Sequence, residues 1–149
     1  MPFVSDLLFG KKYELLLLDY IDKGEYDDVE LPPNKAFKDW DVLVRRGDSQ
    51  TAYEVKADRL TAKTGNFCIE YECSGEPSGI SSTKADYYAY FVVNGAQQEC
   101  YIIPVAFIRK LITTGSYKKM NGGDKWKARF FLVPKAEFCQ FLVERKVHP

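Results

Sequence analysis

Alternating hydrophobic and polar positions mark the middle of the chain as a pair of strands. The segments Trp40–Arg46 and Gln50–Ala57 both alternate in this way, which predicts two half-buried strands. Gly47-Asp48 lies between them and is typical of a two-residue hairpin turn. A turn of this length pairs the strands so that Asp41 lies opposite Glu54, and residues opposite each other project to the same side of a sheet.

Helical spacing of apolar residues appears near the start of the chain. Leu7, Leu18 and Ile21 lie on one stripe behind the candidate N-cap Ser5, which predicts a helix from residue 5 to about residue 21, ended by Gly24. Patterns elsewhere predict strands over 67–73, 87–93, 99–103 and 129–133, a short helix over 79–86, helices from Pro104 to about Leu111 and from Pro134 through Leu142, and a glycine- and lysine-rich loop over 115–127. This order is typical of an α/β or α+β fold.

Length and composition place these elements in one domain over residues 1–149. The 149 residues are 46% hydrophobic and 15% aromatic, which is enough apolar material for one core. The longest apolar run, Leu15 to Leu18, is far too short to span a bilayer, so we expect no membrane partner. No secretion signal is recognisable, and the four cysteines therefore indicate reduced thiols in an intracellular protein.

Several kinds of catalytic site are excluded because the sequence lacks their residues. The single histidine, His148, is the penultimate residue, which argues against Ser-His-Asp and Cys-His sites and against His-rich zinc sites. None of the four cysteines forms a CxxC pair. No GxGxxG loop is present, and the Gly75–Gly79 segment lacks the Gly-Lys-Ser/Thr ending of a phosphate-binding loop.

The formal net charge is zero, yet the charges are unevenly distributed. Residues 1–100 contain 11 basic and 18 acidic residues, whereas residues 101–149 contain 10 basic and 3 acidic residues. This separation is compatible with a cation-binding site beside an anion-binding surface, or simply with two solvated faces. The net charge alone would argue against a nucleic-acid partner, but the separation of signs does not.

The predicted hairpin brings three charged side chains, Asp41, Glu54 and Lys56, onto one face. Carboxylate oxygens are the ligands that Mg²⁺ prefers, and an adjacent lysine can orient an attacking water or stabilise developing charge. The alternative is a cross-strand salt-bridge cluster on a wet face. The opposite face is apolar and is predicted to be core: Trp40, Val42, Val44, Tyr53 and Val55.

Glu14 is a third carboxylate that could join this face. It lies within the apolar stripe of the first helix, where a charge is costly unless it faces a partner. If the stripe packs on the sheet, Glu14 approaches the same cation. Otherwise it lies at the edge of the stripe and pairs with Lys11.

Asp41 followed by Glu54-Val55-Lys56 resembles the motif of the PD-(D/E)XK nuclease superfamily. In that pattern an acidic residue begins one strand and (D/E)-x-K lies on the next strand after a short hairpin, often with a glutamate on the first helix, which Glu14 matches. Position 40 is Trp instead of the proline that names the motif. The resemblance covers about residues 5–112.

The segment over residues 79–88 is similar to the part that follows the centre in small viral and phage-type members and in Holliday-junction-resolvase-like nucleases. The resemblance therefore implies a restriction-endonuclease-like core, with a mixed central β-sheet flanked by helices. It implies hydrolysis of DNA phosphodiester bonds to 5′-phosphates by an endonuclease acting on structured or branched DNA or on ends. A homodimer would supply two centres for cutting both strands.

The resemblance also assigns roles to residues. It implies that Asp41 and Glu54 bind Mg²⁺ or Mn²⁺, with the carbonyl of Val55 as a further ligand. Lys56 would orient or activate the attacking water, and Glu14 would assist the metal or its water. Glu70 and Glu72 share a face of the next predicted strand, where they are either supporting residues or an ordinary strand face.

Basic residues for nucleic-acid binding cluster in and beside the predicted loop, with Tyr117 and Trp126 between them: Lys118, Lys119, Lys125, Lys127 and Arg129. Cations contact phosphates and aromatic rings stack on bases. Ser82, Thr83 and Lys84 resemble polar residues that follow the centre in the superfamily and are further candidates for phosphate contacts. The alternatives are a solvated loop for the first group and helix capping for the serine.

Three hypotheses follow from the sequence. The first is a metal-dependent deoxyribonuclease of the PD-(D/E)XK superfamily, located in the host cytoplasm if the protein is viral. The second is a non-catalytic nucleic-acid-binding or assembly protein that keeps this fold. The third is a globular interaction module in which the Glu-x-Lys spacing is accidental.

Overall fold

The computed structural model describes residues 12–21, 26–34 and 36–147, and ten strands are the main regular elements of this part of the chain. They are β1 (Asp28–Glu30), β2 (Val42–Arg46), β3 (Ser49–Asp58), β4 (Asn66–Cys73), β5 (Glu76–Pro77), β6 (Tyr87–Asn94), β7 (Gln97–Pro104), β8 (Lys118–Gly122), β9 (Ala128–Pro134) and β10 (Leu142–Val147). The predicted cap Ser5, the predicted stop Gly24, Lys11 and His148 lie outside the described residues.

The helical segments are short in the part of the chain that the structure describes. The first, α1, is described over residues 12–16, α2 spans Thr61–Thr64 and α3 spans Val105–Thr114. The helix predicted from Pro104 to about Leu111 is α3, but it begins at Val105 and ends at Thr114, and Pro104 is its N-cap and the last residue of β7. The described 3₁₀ segments cover Leu17–Asp19, Gly79–Ser81, Asp124–Trp126 and Lys135–Phe141.

The larger sheet is mixed, with the described strands in the order β1-β2-β3-β6-β7-β10. Strands β3 and β6 run parallel, and the other neighbouring pairs are antiparallel. The chain therefore has an α+β fold built on a mixed central sheet, as the order of its elements predicted.

The β2–β3 hairpin has the predicted register. Val42 pairs with Tyr53, and Arg46 pairs with Ser49 across the two-residue turn. Gly47 has a φ of +55°, a conformation that glycine adopts without steric cost and that hairpin turns of this length require. This register confirms the pairing that brings Asp41 alongside β3.

Both faces of the central sheet are buried. On one face, Tyr13 and Leu17 of the N-terminal helical segment pack with Val42 and Phe91. The Tyr13 and Phe91 ring centroids are 5.0 Å apart. The opposite face, which carries Tyr88 among others, packs against residues of β4, β9 and α3 in the larger apolar cluster. Covering both faces explains why strand β6 is buried along almost its whole length.

The prediction for Trp40 was wrong. Trp40 precedes β2 and packs with the cluster containing Leu43 and Ala52, not with Val42. Its ring lies 4.7 Å from that of Phe37 in an edge-to-face arrangement. Period-2 alternation applies only within the extended strand, so it does not place a residue that comes before the strand begins.

A second, antiparallel sheet has the described strand order β5-β4-β9-β8. The predicted strand over 67–73 exists as β4, but it belongs to this sheet and not to the central one. The predicted loop over 115–127 was wrong in part, because residues 118–122 form β8 and pair with β9. Backbone hydrogen bonds to β9 compensate for the poor strand propensity of its lysines and glycine.

Two predicted helices were also shorter or different. Within the segment 79–86 only Gly79–Ser81 is helical, and it forms a 3₁₀ turn. The segment after Pro134 is a 3₁₀ helix that ends at Phe141, and Leu142 begins strand β10. Phe138 anchors the segment in the core by stacking on Phe67, so tertiary packing decides its conformation.

Candidate functional site

Asp41 lies immediately before β2 and is held against β3 by two hydrogen bonds to the backbone of that strand. Its amide donates to the carbonyl of Tyr53 at 2.9 Å, and its Oδ2 accepts from the amide of Val55 at 2.8 Å. Glu54 and Lys56 project from β3 toward the face that carries Tyr88, because Glu54 and Tyr88 are neighbours across the β3–β6 pair. The structure thus brings together Asp41, Glu54 and Lys56.

Glu54 is the most strongly perturbed carboxyl group of this site. Burial raises its pKa to about 8, and the neighbouring Asp41 carboxylate, close enough to share a proton with it, acts in the same direction. Lys56 and the hydroxyl of Thr83 oppose this increase. Near neutral pH Glu54 therefore favours the protonated form, and it would have to release its proton in order to bind a cation.

Thr83 is 3% exposed and reaches Glu54 directly. Its Oγ1 lies 3.0 Å from Glu54 Oε1 and 3.3 Å from the carbonyl oxygen of Asp39. Arg109 of α3 holds the segment from Ile80 to Thr83 in place. Its Nη2 donates to the carbonyl of Thr83 at 2.8 Å, and its Nε donates to the carbonyl of Ile80 at 3.1 Å. A bidentate contact from α3 therefore positions the residue that binds Glu54.

Tyr88 forms part of the wall behind these carboxylates. Its side chain is 1% exposed, and its hydroxyl has no hydrogen-bond partner within the described part of the chain. Burial raises its pKa, and Glu54, Glu70 and Asp41 raise it further. A buried hydroxyl without a partner is costly and is expected where a water molecule or an ion completes the site.

Glu70 is brought near this wall by a close backbone approach. Gly79 has a φ of +53°, and a Cβ at this position would lie 2.3 Å from the carbonyl oxygen of Glu70. Only glycine fits such a contact. The 3₁₀ turn that leads to Thr83 is therefore packed directly against the strand segment that carries Glu70.

The donor set is compatible with a hard divalent cation, because all of its candidate ligands are oxygen atoms. Within residues 12–21, 26–34 and 36–147, no group of three acidic, histidine or cysteine side chains is placed to hold a metal ion. Two carboxylates with a main-chain carbonyl and waters would have to suffice, which is a usual arrangement for Mg²⁺. The residues therefore fit Mg²⁺ or Mn²⁺ as a partly hydrated ion.

Glu14 lies on α1. Tyr13 and Leu17, which are close to Glu14 in the sequence, pack on the sheet face opposite Glu54. The side chain of Glu14 is half-buried. The helix therefore does pack on the sheet, but on the other side of it from Glu54 and Lys56. The participation of Glu14 in the centre stays a prediction.

The basic residues of the β8–β9 hairpin are in different situations. Arg129 forms an ion pair with Glu72 at 3.2 Å, and Lys119 Nζ lies 5.4 Å from the centroid of the Phe131 ring. The remaining three lysines of the hairpin, Lys118, Lys125 and Lys127, are exposed. Ser82 and Lys84, which flank Thr83, are exposed as well. Trp126, at the end of the hairpin, is 69% exposed.

Sequence reasoning missed the roles of Tyr88 and Arg109. Tyr88 belongs to a run of apolar and aromatic residues that indicated only a buried strand. Arg109 acts on main-chain carbonyls of a distant loop, and no sequence motif encodes such a contact. The adjacency of Tyr88 and Glu54 depends on the parallel pairing of β3 and β6, which follows from the topology alone.

No protein-family model matches this chain, and a search of the curated proteins finds no significantly similar sequence. None of the helices in the described part of the chain is long and apolar enough to cross a membrane.

Proposed function

We propose that the protein is a metal-dependent deoxyribonuclease with a restriction-endonuclease-like core. The observation that carries this proposal is the convergence of the Asp41 and Glu54 carboxyl groups beside Lys56 on one sheet face. A salt-bridge cluster on a wet face would leave Glu54 with an ordinary pKa, whereas burial raises this pKa to about 8. Buried carboxyl groups with strongly shifted pKa values are typical of functional sites.

The topology supports the same proposal. Strands β1, β2 and β3 form an antiparallel meander, and β6 continues the sheet parallel to β3. The mixed sheet around the β2–β3 hairpin is the part of the topology that supports the proposal. The strand predicted over 67–73 is β4, which instead forms the second sheet with β5, β9 and β8.

Asp41, Glu54 and the carbonyl of Val55 would hold the cation. The amide of Val55 points toward Asp41, and a strand residue directs its amide and carbonyl to the same side. When bound, Mg²⁺ or Mn²⁺ polarises the scissile phosphate and lowers the pKa of a coordinated water. Glu54 would release the proton that its burial favours in order to hold the cation.

Lys56 would position the attacking water and stabilise negative charge on the phosphate. The water oxygen bonds to phosphorus, the bond from phosphorus to the 3′ oxygen breaks, and the water proton leaves with that oxygen or to solvent. The products are a 5′-phosphate and a 3′-hydroxyl. Thr83 keeps the Glu54 carboxylate in place, and Arg109 keeps Thr83 in place.

Plasmid cleavage tests this proposal. The protein is incubated with supercoiled DNA, single strands and branched junctions in Mg²⁺, Mn²⁺ or EDTA. We expect cleavage only with metal, and a loss of at least about a hundredfold in Glu54→Gln. Glu76→Gln, an exposed glutamate of β5, serves as the control and should remain active. DNA binding without cleavage in either metal would favour the non-catalytic alternative.

A further inference from the structure

A pocket of about 250 Å³ opens directly beside Lys56, between the end of β3 and the β8–β9 hairpin. Met120 and Phe130, which pair across that hairpin, are among the residues that line the pocket. Its lining also includes Lys56, Leu60, Cys68 and Gly122. The second sheet therefore builds a mainly apolar pocket next to the proposed water-activating lysine.

The rim of this pocket exposes large apolar side chains. Leu60 is 53% exposed and Met120 is 36% exposed. Cys68 belongs to the apolar wall as well, because burial, with the help of Asp58, raises the pKa of its thiol to about 11 and keeps it neutral. Exposed apolar groups gathered around a concave site are expected where a ligand covers them.

The carboxylate of Asp58, which lines the pocket, already has hydrogen-bond partners. Asp58 accepts hydrogen bonds from the hydroxyl of Tyr90 at 2.6 Å and from that of Thr61 at 2.7 Å. Besides Asp58, the charged residue that lines the pocket is the cationic Lys56, and Lys118 is two residues from the lining residue Met120 in β8. The occupant should therefore join an apolar part to an anionic part.

We propose that this pocket receives an unpaired nucleobase of the DNA substrate, adjacent to the phosphate held at Lys56. This inference rests on the proposed nuclease function and specifies its substrate. A base inside a duplex is stacked and paired and must be extruded to enter such a pocket, which costs free energy. DNA that already contains an unpaired nucleotide beside the scissile phosphate, in a flap, a junction or a frayed end, avoids this cost.

Binding of 2-aminopurine oligonucleotides tests the pocket without requiring cleavage. One duplex carries 2-aminopurine at an unpaired position and a second duplex carries it paired, with Ca²⁺ replacing Mg²⁺. Anisotropy gives the affinity, and 2-aminopurine emission reports the environment of the base. We expect the unpaired substrate to bind about tenfold more tightly, with a change in emission on binding.

Leu60→Ala and Met120→Ala should each remove most of that preference and of the emission change. Leu15→Ala is the matched control, because Leu15 is 56% exposed and lies on α1, which packs on the opposite sheet face. Both rim residues are exposed, so the variants should unfold at the wild-type temperature. Equal affinity for the two duplexes, or a preference that survives both rim substitutions, would overturn the proposal.

Cleavage of the same two duplexes in Mg²⁺ separates this inference from the proposed function. A rim-dependent binding preference without cleavage would contradict the nuclease proposal and support the pocket. Equal cleavage of both duplexes, unchanged in Leu60→Ala, would contradict the pocket and support the nuclease. A protein that binds neither duplex would contradict both.

Discussion

Glu54 shows how a single residue is tuned by its surroundings. Its burial and the nearby Asp41 carboxylate favour the protonated form, while Lys56 and Thr83 favour the ionised form. Pattern reasoning predicted the meeting of Asp41 and Glu54, because the hairpin register follows from alternation and a two-residue turn. It did not predict the burial, which depends on the second sheet and on the loop that carries Thr83.

The raised pKa of Glu54 should make the protein less stable as the pH rises. Unfolding returns the carboxyl group to its ordinary pKa of 4.5, from about 8 in the folded protein. Between these values the unfolded state binds fewer protons, so the free energy of unfolding falls by up to about 1.4 kcal/mol per pH unit. This stabilisation is complete below about pH 4.5 and is lost as the pH rises through about 8.

Urea unfolding of wild type and Glu54→Gln between pH 5 and pH 9, without divalent metal, measures this effect. The free energy of unfolding of the wild type should fall relative to that of Glu54→Gln as the pH increases, and the difference should become constant above about pH 8. A difference that does not vary with pH would show that Glu54 titrates normally. Glu76→Gln provides the control at an exposed carboxylate.

Arg109 is expected to be a positioning residue. Arg109→Lys would lose one of the two carbonyl contacts, because an ammonium group cannot reproduce the fork of a guanidinium. We expect about tenfold slower cleavage and a destabilisation of about 1 kcal/mol. The pH midpoint of activity should also rise, since the Thr83 contact lowers the pKa of Glu54. An unshifted midpoint would indicate a purely structural role.

The elements follow from the sequence to different degrees. The β2–β3 hairpin was predictable because alternation and turn chemistry agree there. Strand β8 was not, because Lys118–Gly122 contains two lysines, an asparagine and a glycine and has no apolar alternation. It is a strand because it pairs with β9 across the hairpin, and the strand propensities of its own residues do not indicate that pairing.

The β8–β9 hairpin should supply the electrostatic part of DNA binding. Replacing Lys118, Lys125 and Lys127 together by alanine should lower the slope of the logarithm of affinity against that of salt concentration by about 2 to 3. Triple replacement of three exposed lysines elsewhere, Lys38, Lys63 and Lys110, is the matched control and should leave the slope nearly unchanged. Equal slopes in the hairpin variant and wild type would exclude these lysines from phosphate contacts.

Across the whole molecule, acidic and basic residues balance to a net charge of zero but lie in different regions. Asp41 and Glu54 lie on the central sheet, whereas the exposed lysines Lys118, Lys125 and Lys127 belong to the hairpin of the second sheet. The fold class could be predicted from the order of elements. The division into two sheets could not be predicted. The local hydrophobic periodicity does not indicate that β4 and β5 leave the central sheet, or that β8 pairs with β9. That division creates the pocket beside Lys56.

Single-turnover cleavage by Lys56→Ala tests the central claim most directly. This substitution keeps the Asp41 and Glu54 side chains but removes a charge that lowers the pKa of Glu54. Mn²⁺ is therefore supplied at a saturating concentration, at which the ion and DNA should still bind. With end-labelled DNA and saturating Mn²⁺, the cleavage rate should fall by at least about a hundredfold, while Lys63→Ala on α2 cleaves at the wild-type rate. Cleavage at an undiminished rate in Lys56→Ala would contradict the proposed centre.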